Sequence, residues 1–157
     1  MYQMKYESPI GTLYLVSDGK YLCNLYFPNQ PLDIGNNDCL EVFSKTKDWL
    51  NQYFEGKQPS MSELPLKLEG TVFQKQVWNL LLEIPYGTVV TYGEIAKKLN
   101  TKAYQAIGSA IGKNPIGIIV PCHRVVGSHN YLRGFSGGID IKKRLLKHEG
   151  IDSSIYK

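Results

Sequence analysis

Residues 91–112, TYGEIAKKLNTKAYQAIGSAIG, contain two short helical patterns, 92–99 and 103–111, with a break between them. Thr91 and Glu94 have the spacing of a capping box, and apolar residues recur at helical intervals in both patterns. Two short helices joined by a tight break predict a helix-turn-helix. Its outward residues are expected to be Lys102, Gln105, Gly108 and Ser109.

Further helices are predicted on both sides of this pair. Thr71 and Gln74 form a second capping box, and apolar residues line one helical face from there until Pro85. A last helix is predicted from about Ile139 to Glu149, where Gly150 follows. The C-terminal part of the chain is therefore predicted to be mostly helical.

The N-terminal part has a different pattern. β-Branched and aromatic runs separated by turn residues predict strands at 2–7, 12–17 and 21–27, and helical spacing predicts a helix over 40–54. The proline-containing segment 57–69 is the best candidate for a linker. The predicted fold class is α+β, with a small antiparallel sheet-plus-helix domain at 1–65 and a helix-turn-helix domain at 66–157.

Charge is distributed unevenly along the chain. Residues 91–148 hold ten basic and two acidic side chains, which suits a polyanionic partner but also a plain solvated face. The sequence has no signal-peptide pattern and no apolar run long enough for a membrane span, so we expect a cytoplasmic protein without membrane contact. The spacing of its three cysteines fits no metal motif, and no metal is predicted.

Residues 119–127, IVPCHRVVG, place a thiol next to an imidazole and a guanidinium. The apolar run 116–120 predicts a buried strand leading into Cys122, which is then either an inert packing residue or a nucleophile. In an extended segment His123 faces away from Cys122, so a base function needs a bridging water or a turn. Glu149 is either a solvated carboxylate or the group that orients an imidazole.

Longer stretches of the sequence favour the functional interpretation of Cys122 and Glu149. The sequence resembles the O6-alkylguanine-DNA alkyltransferases in PCHRV (121–125) and in most of residues 70–150. The matching stretches are GTVFQKQVWNLLLEIPYGTVVTYGEIA (70–96), IGSAIGKNPIGIIVPCHRVVG (107–127) and FSGGIDIKKRLLKHEG (135–150), with SPIGTLYL (8–15) near the N-terminus. The resemblance implies a ribonuclease H-like N-terminal domain and a winged helix-turn-helix-like C-terminal domain.

The resemblance also implies a function and its residues. Cys122 is expected to accept the alkyl group irreversibly from the O6 of guanine, and also from O4-alkylthymine, in a single-turnover repair reaction without a cofactor. His123 acts as base through a water, Glu149 orients His123, Tyr92 donates to guanine N3, and Asn114 joins the recognition helix to the active-site segment. The residues expected around the base are Val125, Phe135, Ser136, Gly137 and Gly138.

The implied partner is double-stranded DNA, bound by a monomer through the minor groove without sequence preference, with the target base rotated out of the helix. The DNA-binding residues are expected to be Thr91, Lys102, Tyr104, Gln105, Ala106, Gly108, Ser109 and Arg124. Gln105 stands where the family usually has an intercalating arginine, and Phe135 where many members have a tyrosine. Gln105 supports an alternative function, a lesion-binding module with weak or no transfer, although Cys122 argues against it.

Overall fold

The computed structural model describes residues 1–32, 39–132, 135 and 137–156. It divides into two compact units, Met1–Glu69 and Gly70–Lys157. The division lies four residues beyond the predicted one, because the end of the expected linker pairs with the N-terminal sheet. The backbone N–H of Leu22 donates to Pro65 O over 2.7 Å, and that of Lys67 donates to Leu22 O over 2.9 Å.

The N-terminal unit is an antiparallel sheet with one helix. Its elements are β1 (Tyr2–Ser8), β2 (Gly11–Ser17), β3 (Leu22–Tyr26) and α1 (Glu41–Phe54), with the strands in the order β1-β2-β3. Alternate residues of the strands, among them Met4, Tyr6, Leu13 and Leu15, are buried, and so is the apolar face of α1. The Tyr6 hydroxyl donates to Asn51 Oδ1 of α1 over 2.5 Å, which ties the helix to the sheet.

The C-terminal unit is mostly helical, as predicted, and the α+β class is confirmed. Its elements are α2 (Val72–Leu82), β4 (Val90–Thr91), α3 (Tyr92–Lys98), α4 (Tyr104–Gly112), β5 (Val125–Val126) and α5 (Ile139–His148). Thr71 and Gln74 form the predicted capping box of α2. Trp78 of α2 is buried, and its indole N–H donates to Ala110 O of α4 over 2.8 Å. This bond fixes α2 against the second helix of the predicted helix-turn-helix.

The helix-turn-helix has the predicted elements. Asn100 has φ of +52°, a left-handed conformation that asparagine tolerates and that ends α3. Ile107, Ala110 and Ile111 bury one face of α4, and the residues predicted to face outward lie on the other side. Within the described residues, every helix is too short or too polar to cross a membrane.

Candidate active site

The segment before Cys122 is a series of tight turns, and the predicted strand at 116–120 is wrong. The Asn114 side chain spans this segment: its Nδ2 donates to Val120 O over 2.8 Å, and its Oδ1 accepts from Ile116 N over 3.1 Å. The backbone N–H of Val120 donates to Ile116 O, four residues back. Pro115 precedes the apolar run and Gly117 interrupts it, and both are residues typical of turns.

Ile118 is the most unusual residue of this segment. It is 1 % exposed and has φ of +69°, a conformation in which a β-branched side chain is strained. The backbone N–H of Ile119 donates to Gly117 O over 2.8 Å, so Ile118 is the centre of the rarer, strained kind of γ-turn. The Asn114 bonds and the burial of Ile118 hold this backbone in place, directly before the predicted nucleophile.

Cys122 begins a 3₁₀ turn, Cys122–Arg124, and is only 2 % exposed. Burial raises the pKa of its thiol, whereas the Asn114 side chain and the positive charge of Lys142 lower it. The net direction is upward, so Cys122 is a thiol and not a thiolate at neutral pH. A reaction at this sulfur therefore needs a group that removes its proton.

His123 is fully buried beside a carboxylate. Its Nε2 lies 2.5 Å from Glu149 Oε2, and the carboxylate selects the tautomer with the proton on Nε2. Nδ1 is buried and has no hydrogen-bond partner in the described part of the chain. Burial lowers the pKa of His123, although the hydrogen bond and charge of Glu149 act in the opposite direction. The imidazole is therefore neutral at pH 7, and Nδ1 has a lone pair available to accept a proton.

Glu149 is the C-terminal cap residue of α5, and its carboxylate accepts hydrogen bonds from His123, Arg124 and Gly87. Besides His123, Arg124 donates from Nε to Oε1 over 2.7 Å and from Nη2 to Oε2 over 3.1 Å. Arg124, expected among the DNA-binding residues, is buried in the structure, and its guanidinium is bidentate on Glu149. A charge matched in this way makes Glu149 a stable anion beside His123.

Three residues around Glu149 were not recognised from the sequence. Gly87 N–H donates to Glu149 Oε1 over 3.0 Å, and Arg124 Nη1 donates to Ile84 O over 2.8 Å. The Tyr86 ring centre lies 5.7 Å from the Arg124 guanidinium carbon. Gly87 has φ of +76°, and a Cβ there would lie 3.3 Å from Glu149 O. The place of Gly87 in the quoted stretch 70–96 was the only sequence signal for it, because its bond to Glu149 joins residues 62 positions apart.

A short parallel pairing connects the helix-turn-helix to the active-site segment. Val90 pairs with Val125 and Thr91 with Val126, so Tyr92, which begins α3, follows a strand paired with the residues after the 3₁₀ turn. Val125 is fully buried and Tyr92 half-buried. The structure therefore brings Tyr92 and Val125 to the same part of the fold as Cys122, as the resemblance requires.

The remaining residues predicted around the base lie before α5. Phe135 is half-buried, Gly137 is buried, and Gly138 is the N-cap residue of α5 with φ of +90°. A Cβ at Gly138 would meet nothing within 4 Å, so backbone conformation, and not lack of space, requires glycine there. Ser136 lies outside the described residues.

The predicted DNA-binding residues, apart from Arg124, lie at α3 and α4. Thr91 caps α3, its Oγ1 accepting from Glu94 N over 3.1 Å. Lys102, Tyr104, Gln105, Ala106 and Ser109 are exposed, and Gly108 is half-buried. Tyr104, the first residue of α4, is 55 % exposed. A Cβ at Gly108 would meet no atom within 4 Å, so the packing among the described residues does not require glycine there.

These two regions together define a class of protein: a helix-turn-helix unit that also contains a buried cysteine followed by a buried histidine bonded to a glutamate. Family models agree with this description over almost the whole chain. Residues 1–68 match the 6-O-methylguanine DNA methyltransferase, ribonuclease-like domain, and residues 72–151 match the 6-O-methylguanine DNA methyltransferase, DNA binding domain. The chain belongs to the 6-O-methylguanine DNA methyltransferase family, and both the resemblance and the ribonuclease-like N-terminal domain are confirmed.

Individual relatives agree with the family models. Methylated-DNA–protein-cysteine methyltransferase of Methanosarcina acetivorans is 46 % identical, over 96 % of this chain and 99 % of that protein. The protein of the same name from Haemophilus influenzae is 42 % identical, over 96 % of this chain and 87 % of that protein. The crystal structure of Mycobacterium tuberculosis OGT in complex with DNA superposes with a TM-score of 0.85 at 41 % identity, covering 99 % and 95 % of the two chains.

Proposed function

We propose that this protein repairs alkylated DNA directly, by moving the alkyl group from O6 of guanine to Sγ of Cys122 in a single turnover. The observation that carries the proposal is a buried thiol adjacent in sequence to a neutral imidazole whose Nε2 is held by an ionised carboxylate. Relatives that are 42–46 % identical over 96 % of this chain are named for the same transfer.

The proton of the Cys122 thiol moves first, through a bridging water, to Nδ1 of His123. Glu149 holds Nε2–H and stabilises the imidazolium that forms, and Arg124 and Gly87 hold Glu149. The thiolate electron pair then forms the S–C bond as the C–O6 bond breaks, and the guanine leaves with the bonding electrons. The thioether product has no proton to lose and no leaving group in reach of water, so the protein acts once.

The leaving guanine needs a proton or hydrogen bonds for its developing negative charge. We assign this role to Tyr92, as a donor to N3, because it begins α3 directly after the strand that pairs with Val125 and Val126. We assign the O6 edge of the base to the backbone around Val125 and to Ser136. Phe135, Gly137 and Gly138 complete the pocket for the base and its alkyl group, and Asn114 positions the active-site segment through its two backbone bonds.

We assign the DNA contact to the exposed side of α4 and its flanks, acting as a monomer in the minor groove. Gly108 supports this, because a mid-helix glycine costs about 1 kcal/mol relative to alanine and packing within the described residues does not explain it. Ala106 and Ser109 beside it are also small and exposed, which allows a close approach of the DNA backbone. Gln105 fills the position of the extruded base, and exposed Tyr104 offers a stacking surface next to it.

The direct test is transfer from a duplex that contains one O6-methylguanine. Mass spectrometry of the digested protein should show a gain of about 14 Da on the peptide that contains Cys122, reaching one methyl group per protein and no more. The Cys122→Ser variant is the matched control: it should bind the same duplex and show no added mass.

Two results would contradict the proposal in different ways. Binding of the methylated duplex without any mass gain in the wild-type protein would favour the lesion-binding alternative, for which Gln105 was the reason. Removal of many methyl groups per protein would indicate a hydrolase that regenerates Cys122, because a thioether product ends the reaction after one turnover.

A further inference from the structure

One hydrophobic cluster of the C-terminal unit joins segments that are far apart in the sequence, and the proposed reaction gives none of its members a role. The members come from the residue before β4, from β5, from the turn after β5, from α5 and from the segment that follows α5. The buried members are each at most 7 % exposed, and two half-buried residues pack against them; the buried set is Val126, Leu132, Leu146 and Tyr156, and the half-buried pair is Val89 and Ile151.

The segment after α5 turns back on that helix and brings an aromatic ring into the cluster. Gly150 has φ of +87°, which ends α5, and the backbone N–H of Ile151 donates to Leu146 O over 3.0 Å. One 3₁₀ turn later, Tyr156 is 6 % exposed, whereas its neighbour Ile155 is 50 % exposed. The segment therefore buries one large side chain, and that side chain belongs to the cluster.

The cluster contains both residues that flank a tight turn after β5. The backbone N–H of Gly127 donates to Tyr131 O over 2.6 Å, which closes the turn, and Val126 and Leu132 lie on either side of it. Both ends of the turn are therefore held by packing. Phe135, assigned above to the base pocket, follows Leu132 by three residues, a distance that the chain spans in at most about 11 Å.

The cluster also flanks the short parallel pairing of β4 with β5. Val89 directly precedes β4, and Val126 is the last residue of β5. The pairing is only two residues long, and two strands alone are marginally stable in water, so packing has to support it. Tyr92 and Val125, the residues assigned to N3 and to the O6 edge of the base, lie directly after β4 and within β5. The cluster therefore supports three residues of the proposed pocket.

The groups assigned to proton transfer have bonds of their own. Glu149 follows Leu146, a cluster member, by three residues, but its carboxylate also accepts hydrogen bonds from His123, Arg124 and Gly87. A change in the cluster should therefore disturb the base pocket more than it disturbs the groups that take the thiol proton.

We propose that Tyr156 is a positioning residue for the base pocket, whose ring holds the β4–β5 pairing and the turn 127–131 in the arrangement that receives the base. The inference rests on the proposed function, because the pocket is part of that function. Tyr156 takes no part in proton or alkyl transfer and acts through Tyr92, Val125 and Phe135. Removing its ring would leave a void in the cluster, and a shift of about 1 Å in a positioning group can cost about 10²-fold in rate.

The first test is Tyr156→Ala, with the alkylation of Cys122 by free O6-benzylguanine followed by mass spectrometry. The rate is measured against benzylguanine concentration, at a temperature at which circular dichroism shows both proteins to be folded. The half-saturating concentration should rise at least about tenfold, and the limiting rate should change by a smaller factor. Tyr156→Phe, which keeps the ring, and Ile155→Ala, which shortens an exposed side chain of the same segment, should both behave as wild type.

Tyr156→Leu covers the case in which the alanine variant does not fold, because it keeps an apolar side chain in the cluster. Its half-saturating concentration should rise as well, by a smaller factor. A folded variant without the ring that has the wild-type half-saturating concentration would overturn the proposal, and a purely structural role of Tyr156 predicts that result. A limiting rate that falls by a larger factor than the half-saturating concentration rises would also overturn it, because the ring would then support the proton-transfer groups.

The second test does not depend on activity. Hydrogen exchange of the Gly127 amide, which closes the turn, is followed by ¹⁵N NMR in wild type and Tyr156→Leu, with the amides of α2 as an internal reference. Loss of the ring should accelerate exchange at Gly127 by a factor at least about tenfold larger than in α2, because the turn is released locally. Equal acceleration in both places would indicate a general loss of stability and contradict the proposal.

The two tests keep the inference separate from the proposed function. Wild-type protein that is not alkylated at Cys122, together with the expected exchange at Gly127, would count against the proposed function and not against the support of the turn by Tyr156. Alkylation of the wild-type protein with unchanged exchange and kinetics in Tyr156→Leu would count against the role of Tyr156 alone.

Discussion

The two sides of the C-terminal unit are built in opposite ways. Around Cys122 the side chains are buried, and His123, Arg124 and Glu149 are joined by short hydrogen bonds. On α4, Tyr104 and Gln105 are exposed, and the N-cap residue Ala103 makes no side-chain capping bond. For the proposed function, this difference implies that the groups for the chemistry are arranged before DNA binds, whereas we expect delivery of the base to depend on a few exposed side chains.

Glu149→Gln should have the largest effect, because it disrupts the buried hydrogen bonds that join Glu149 to His123 and Arg124. Glutamine has no charge to match Arg124 or to stabilise the imidazolium, and it has one acceptor oxygen where Glu149 uses two. We expect the single-turnover transfer rate to fall on the order of 10²–10⁴-fold and the free energy of unfolding to fall by about 3–5 kcal/mol. Rapid-quench transfer assays and urea unfolding measure the two effects.

Glu63→Gln, which removes an exposed carboxylate from the N-terminal unit, is the matched control and should change neither quantity. A Glu149→Gln protein with the wild-type transfer rate would show that the carboxylate has no part in proton transfer.

Tyr104→Ala should weaken DNA binding by the exposed surface of α4 and leave the buried groups around Cys122 unchanged. Loss of a stacking surface is expected to cost about 1–3 kcal/mol of affinity for a duplex with a rotated-out base, without affecting the free energy of unfolding. Gln105→Arg adds a positive charge beside it and should strengthen binding and increase the salt dependence of the affinity by about one counterion. Fluorescence anisotropy at several salt concentrations checks both variants. Unchanged affinities in both would place the DNA on another surface.

The pH dependence of stability and of the transfer rate should also report on the buried groups around Cys122, through His123. Burial keeps the pKa of His123 below its usual value, so below about pH 6.5 the unfolded chain binds a proton there that the folded protein does not. The stability contribution of His123 is therefore complete above that pH and is lost as the pH falls through the lower folded pKa. The transfer rate should stay level through about pH 6.5 and fall only at that lower pKa.

Urea unfolding and transfer rates measured across this range test the expectation. His129→Gln, which removes an exposed histidine, should leave both profiles unchanged. A transfer rate that already falls at the pKa of an ordinary histidine would contradict the buried, neutral state of His123.

Gly108→Ala should have the smallest effect, and its two parts should have opposite signs. The added methyl group meets no atom within 4 Å, so the free energy of unfolding should rise by about 0.5–1 kcal/mol. The same methyl group would stand between α4 and the DNA, so duplex affinity should fall severalfold. Calorimetry measures the change in stability and fluorescence anisotropy the change in duplex affinity. A stabilised variant with unchanged affinity would show that Gly108 is not part of the DNA interface.

The helices were largely predictable because their signals are local. Thr71 and Thr91 cap the helices they were expected to cap, and α3, α4 and α5 begin and end within one residue of the predicted positions. The turns before Cys122 were not predicted, since the apolar pattern of a buried turn resembles that of a strand. Their conformation depends on the Asn114 side chain, whose bonds are set by the folded structure.

The position of Arg124 was unpredictable for a related reason. Its carboxylate partner is 25 residues away and its carbonyl partner 40 residues away, so an exposed DNA contact and a buried ion pair are equally compatible with the local sequence. Only the packing of α5 and of residues 84–87 against the 3₁₀ turn distinguishes them. The burial of Lys142 was missed for the same reason, because lysine in a basic stretch is expected to be solvated.

The most direct test of the division between chemistry and delivery compares two substrates. The alkylation rate of Cys122 is measured by mass spectrometry with a methylated duplex and with free O6-benzylguanine, which needs no DNA contact. Tyr104→Ala combined with Gln105→Ala should slow transfer from the duplex and leave transfer from the free base unchanged, whereas Glu149→Gln should slow both. Equal slowing of both substrates by the α4 double variant would contradict the account.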